Sequence, residues 1–146
     1  RFVPVDFEQQ TALDALVRAG LERSRPTWFA WLGVTMYLEE ATVWSVLKSI
    51  AAFPAGSGVV FDYGVPPAML GTRGQEVFAG LARRVAQGGE PWITFFDPHT
   101  IGAMLHAAGF SSVRDRGREE MNLAYFSDRT DGLQVGGFVR LMTASI

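Results

Sequence analysis

Cysteine is absent from all 146 residues. That absence removes disulfides, thiolate nucleophiles and cysteine-ligated metals together. It fits a reducing compartment, so the cytoplasm is the expected location. Long uncharged apolar runs are also missing. None approaches the roughly 18 residues that a membrane span needs, so no membrane partner is expected. No signal peptide is visible. Basic blocks are missing as well: the formal net charge is -2, and the arginines (Arg18, Arg25, Arg73, Arg83, Arg114 and Arg118 among them) are scattered without interleaved aromatics. A nucleic-acid surface needs a basic stripe, so nucleic acid is excluded as a partner. Histidine is scarce. His99 and His106 stand seven apart on one predicted helix, which is not the i, i+4 spacing of a helical metal pair. Neither has an evident serine partner, and no metal is expected.

The residues that are present read as a single globular domain. Hydrophobic residues make up 48% and charged residues 19%, which rules out a disordered chain. The length suits one core, with no internal repeat and no boundary that would split it. Phe2 to Val5 reads as a short strand ending at Asp6, with Pro4 marking an end or an edge. The chain begins in the middle of that strand, so residues upstream are expected. Thr11 to Leu21 reads as a helix, with Leu13, Leu16, Val17 and Leu21 on one face. Trp28 to Val34 is an apolar run too short for a free-standing helix. Interrupted at Gly33, it predicts a strand buried on both faces that feeds a helix. Glu39 to Phe53 is that helix.

Val59 to Tyr63 is a third buried strand, stopped by Gly64. Gln75 to Val85 is helical. Asp97-Pro98 is a helix start: Asp97 can cap free amides, and Pro98 fits the first helical position. Gly109 is the stop of that helix. Phe110 to Arg114 opens a further strand, Arg114 to Glu120 reads as a solvated charged segment, and Gly137 to Ala144 is the last strand. The resulting order of strands and helices is an α/β pattern around a mainly parallel sheet. In such sheets ligands sit at the carboxyl ends of strands. Gly33 with Tyr37, and Asp62 with Tyr63, occupy such ends.

One constellation goes further. It comprises Val3-Pro-Val-Asp6-Phe7, Trp31-Leu-Gly33-Val34-Thr-Met36-Tyr37-Leu38, Gly89-Glu-Pro-Trp92 and Phe95-Phe-Asp-Pro98. Together these segments resemble the leucine carboxyl methyltransferase family, and more narrowly its bacterial S-adenosylmethionine-dependent O-methyltransferases. The resemblance covers nearly the whole chain but only the C-terminal half of the family's domain. It implies a Rossmann-like class I methyltransferase sheet, mostly parallel, with an antiparallel C-terminal edge pair. The first two strands of that sheet, with their glycine-rich turn and ribose-binding acid, are missing from this chain. Residues 1–146 would be the C-terminal half of a single methyltransferase domain, with Phe2 to Val5 as its third strand. The missing N-terminal half, or a partner segment, would have to cover the apolar edge left open.

The resemblance also implies S-adenosylmethionine as cofactor. Asp6 would accept from the adenine amino group, Phe7 would line the ring, and Leu32 and Gly33 would lie against the cofactor at the strand end. Asp6 also reads as a helix or turn cap, and Gly33 as a plain turn glycine. The leucine carboxyl methyltransferases proper carry a glutamate where Leu32 stands. Tyr37, Tyr63, Trp92 and Phe95 are the candidate substrate-binding residues, each with a packing role as its alternative. Glu39 and Glu40 read as partners of a helix dipole and not as an acid–base pair. No catalytic residue is identified. The function implied is an enzyme that methylates an oxygen of a small-molecule or carboxylate acceptor, the fragment alone being inactive. The alternative is a methyltransferase-like module that binds without catalysis. A nicotinamide-dependent oxidoreductase has no dinucleotide fingerprint here.

Overall fold

The computed structural model describes residues 2–5 and 11–146. Helix α1 (Ala12–Arg18) starts where the Thr11 hydroxyl oxygen accepts from the Asp14 amide at 3.1 Å. Strand β1 (Trp28–Trp31) leads into a single 3-10 turn (Thr35–Tyr37) and helix α2 (Glu40–Ala51). Strand β2 (Gly58–Gly64), a second 3-10 turn (Pro67–Met69) and helix α3 (Thr72–Gln87) follow. Helix α4 (Ile101–Ala108), strand β3 (Ser112–Arg116), helix α5 (Arg118–Tyr125) and strand β4 (Val139–Ser145) complete the chain.

The four strands form one sheet in the order β1-β2-β4-β3. β1 and β2 are parallel, with Trp28 opposite Gly58. β4 runs antiparallel to β2 on one side and to β3 on the other. The expected antiparallel pair at the C-terminal edge is therefore present. Among the described residues the β1–β2 pairing is parallel and both pairings of β4 are antiparallel. β1, β2 and β3 share a direction, but β4 separates the last two and runs against both.

Alternation along β2 sets the core. Val59, Phe61 and Tyr63 point to one face, where they meet Val43, Leu47 and Ile50 of α2 and Ile101 and Leu105 of α4. Met142 and Ala144 of β4 extend that layer. Period-2 strands and 3.6-period helices thus bury their apolar faces against each other. α4 ends at Gly109, as its sequence predicts.

Three expectations are corrected. β1 is not buried on both faces: Phe29 and Trp31 pack on the core, but Trp28 and Ala30 are exposed. β2 is its one sheet neighbour among the described residues, and its other edge is open. Residues 2–5 form no strand, and Phe2 is fully exposed. A strand needs a neighbour for its backbone groups, and no described segment supplies one. The charged segment after Arg114 is structured. Asp115 and Arg116 extend β3 through pairing with β4, and Arg118 opens α5.

Candidate ligand site at the strand ends

The chain leaves β1 through Gly33, whose φ of 73° is left-handed. An L side chain is strained there, which explains the glycine. The Gly33 amide donates to Asp62 Oδ1 at 2.7 Å, and the Thr35 hydroxyl donates to the Asp62 carbonyl at 2.6 Å. Thr35 is buried, so that bond also satisfies a polar group inside the fold. The end of β2 therefore holds the loop that follows β1.

A second segment closes on the same loop. The Ile93 and Thr94 amides both donate to the Met36 carbonyl, at 2.8 and 3.2 Å. The Thr94 hydroxyl donates to the Leu38 carbonyl at 2.6 Å. These bonds bring the stretch containing Gly89, Glu90 and Pro91 opposite the stretch containing Gly33, Val34 and Tyr37. Between them lies a cavity of ≈590 Å³, with Ile93 also on its wall. That volume falls in the range of small-molecule sites, about 300–1,000 Å³. No atom lies within 4 Å of where a Gly33 Cβ would stand, so the backbone faces open space.

The predicted site residues separate into groups. Gly33 and Tyr37 line the cavity. Leu32 is adjacent in sequence, and its side chain is exposed. Asp6 and Phe7 lie outside the described residues. Tyr63 is not at a surface: it is fully buried, with its ring against Phe61 and Phe96. A strand-end position reads as ligand-facing, but Tyr63 alternates onto the helix-covered face and has no area to offer a substrate. Trp92 and Phe95 join an aromatic cluster with Phe78 and Phe138. Trp92 stacks on Phe138 at 4.9 Å, and Phe95 meets Phe78 edge-on at 5.8 Å. Their rings pack on one another. Glu40 accepts from the Trp44 indole at 3.2 Å within α2. His106 Nδ1 lies 2.9 Å from the Phe110 carbonyl, and no metal-binding cluster occurs among the described residues.

A second cavity, ≈430 Å³, opens beside the same end of β2. Its charged wall is the pair Arg140 and Asp115. Both Nε and Nη2 of Arg140 reach Asp115 Oδ2, at 2.8 and 2.7 Å. That carboxylate raises the Arg140 pKa. Beneath it the Tyr63 hydroxyl is raised above the ordinary phenol value, first by burial and then by the Asp115 charge. The sequence carried one signal for this group. Arg140 alternates with Phe138 and Met142 in the last strand, so a cation shares the strand's core-side face.

A mixed α/β sheet with a small-molecule-sized cleft where β1 ends defines a class of ligand-binding α/β proteins. Within that class, residues 1–51 match the leucine carboxyl methyltransferase family. The chain is 27% identical over 133 residues to a Bacillus subtilis (strain 168) protein named "Putative S-adenosyl-L-methionine-dependent methyltransferase YktD", covering 90% of this chain and 43% of that protein. Two solved structures share the fold. One is a DUF574 family protein from Streptomyces avermitilis, with a TM-score of 0.55 and 15% identity over 88% of this chain and 47% of that one. The other, from Bordetella parapertussis, is described as a possible exported protein, with a TM-score of 0.55 and 17% identity over 96% of this chain and 50% of that one. The chain therefore spans about half the length of the proteins it matches, or less.

Proposed function

We propose that this chain is the C-terminal half of an S-adenosylmethionine-dependent methyltransferase domain of Rossmann-like, class I architecture, transferring a methyl group to an oxygen of a small-molecule or carboxylate acceptor. One observation carries the reading. The two segments most specific to the family resemblance, Tyr37 to Glu40 and Gly89 to Trp92, are far apart in sequence, yet Tyr37 from the first and Gly89, Glu90 and Pro91 from the second line one cavity. Just after Trp92, the Ile93 and Thr94 amides donate to the Met36 carbonyl and the Thr94 hydroxyl donates to the Leu38 carbonyl.

The residues present fit one end of such a cofactor. Gly33 and Val34 offer open backbone at the strand end, and Tyr37 offers a half-buried phenol. Asp6 and Phe7 are proposed to hold the adenine. S-adenosylmethionine supplies an electrophilic methyl group on sulfur. This chain's work is alignment and exclusion of water, which is most of what such a transfer requires. A carboxylate acceptor is ionised at neutral pH, so no general base is needed. The open edge of β1 is proposed to pair with a strand from the rest of the domain or from a partner segment. Leu32 favours a second reading, a module that binds without catalysis, because an exposed leucine stands where a carboxylate would meet the cofactor.

Calorimetry of S-adenosylmethionine against the intact protein tests the proposal. Binding is expected, together with at least a tenfold loss, about 1.4 kcal/mol, on Asp6→Ala with the thermal transition unchanged. No heat of binding by the intact protein would overturn the enzyme reading. Unchanged affinity in Asp6→Ala would return Asp6 to a capping role.

A further inference from the structure

The second cavity shares no lining residue with the first. Its walls combine two chemistries. Val65, Met69, Leu70 and Pro98 make one side apolar, and Met69 is left 45% exposed. Arg140, Asp115 and His99 supply its polar lining. The two charged groups do not present themselves equally. Asp115 spends Oδ2 on Arg140, and its Oδ1 is shut off from solvent. Arg140 gives its Nε edge and one side of Nη2 to Asp115, and the buried Tyr63 hydroxyl beneath it also acts on the guanidinium. Its side chain keeps 28% of its exposure. The Arg140–Asp115 part of the wall therefore offers N–H donors and hides the Asp115 Oδ1, while His99 adds an imidazole to the lining. A guanidinium edge held by a carboxylate behind it is planar and pre-oriented, which suits a planar oxygen acceptor.

We propose that this cavity is a second ligand site, one that takes a small molecule with a carbonyl-type oxygen head group, a carboxylate or its amide, on an apolar body. The head group lies against the free N–H groups of Arg140. The body lies on Met69, Leu70 and Val65. The volume of ≈430 Å³ admits a short-chain molecule. Ammonium head groups are disfavoured, because they bring a like charge to Arg140.

The test uses the intact protein with hexanoate, hexanamide and hexylamine as probes, read by calorimetry and by NMR shifts of the Met69 methyl. Hexanoate or hexanamide is expected to bind at least tenfold more tightly than hexylamine. Removing Arg140 alone would strand the Asp115 charge and endanger the fold. The decisive variant is therefore the pair Arg140→Met with Asp115→Leu, which removes both charges, alongside Arg140→Lys as the conservative control. With the fold verified, the double variant should lose binding at least tenfold, and S-adenosylmethionine affinity should stay unchanged. Failure of both oxygen-bearing probes to bind, equal binding of hexylamine, or unaltered binding by the folded double variant would each overturn the site. These results are separable from the cofactor test, because that test reads the other cavity.

Discussion

Tyr63 shows how a single residue can look functional and be structural. Its ring is fully buried, and its hydroxyl has no hydrogen-bond partner. Leaving a buried hydroxyl unpaired costs about 1–3 kcal/mol. Tyr63→Phe removes that cost and keeps the ring contacts with Phe61 and Phe96. The variant should be as stable as the parent or more so in urea denaturation at neutral pH. A larger consequence lies in base. The folded phenol is held above its ordinary value near 10 by burial and by Asp115. Above that value the unfolded chain releases the proton and the folded chain retains it. The phenol's contribution to stability is therefore intact below about pH 10 and declines as pH rises beyond it. Between pH 9 and 11 the parent should lose stability more steeply than Tyr63→Phe, with urea midpoints measured across that range as the readout. Parallel curves for the two proteins would contradict the burial argument. Sequence alone placed Tyr63 at a strand end. It could not show which face the helices cover, and that face decides whether a strand-end side chain meets ligand or core.

Between elements, Asp62 is the group that makes the first cavity. It lies near the end of β2, and its carboxylate and carbonyl hold the loop after β1. A strand-end position was legible here. The actual partner was not, because Gly33 lies on a different element and the pairing exists only once β1 and β2 are aligned. Asp62→Asn keeps an oxygen that can accept from the Gly33 amide, so it should leave urea stability within a few tenths of a kcal/mol. Asp62→Ala removes that acceptor and should cost about 1 kcal/mol, accompanied by NMR shifts confined to Gly33 through Tyr37. Equal effects from the two variants would mean that the bond contributes nothing. The same limit governed other elements. Periodicity located α1, α2, α3 and α4, and turn residues bounded β2, since those signals are local. The pairing of β4 between β2 and β3, the folding of the charged stretch into β3 and α5, and the exposure of one face of β1 all depend on neighbours. No local pattern encodes them.

For the molecule as a whole, β1 is the unresolved edge in the energetic sense. It has one sheet neighbour among the described residues, and its free side presents backbone donors and acceptors beside exposed Trp28 and Leu32. Edges of this kind recruit other strands, so natural proteins cover or charge them. No charged residue occurs between Trp28 and Leu32, and no described segment lies along the edge. Helix α3 adds to the exposure: none of its residues is buried, and Val77 and Leu81 face solvent. A chain with an open strand and an uncovered apolar helix face gains by association. Residues 1–146 expressed alone should therefore self-associate in a concentration-dependent manner in sedimentation velocity and should bind no S-adenosylmethionine. A longer protein that completes the length of the relatives should sediment as a discrete species and bind it. A monodisperse 146-residue monomer across a hundredfold range of concentration would remove the argument from the edge. Cofactor binding by that same monomer would show that the cavity beside Gly33 and Tyr37 needs no further strands.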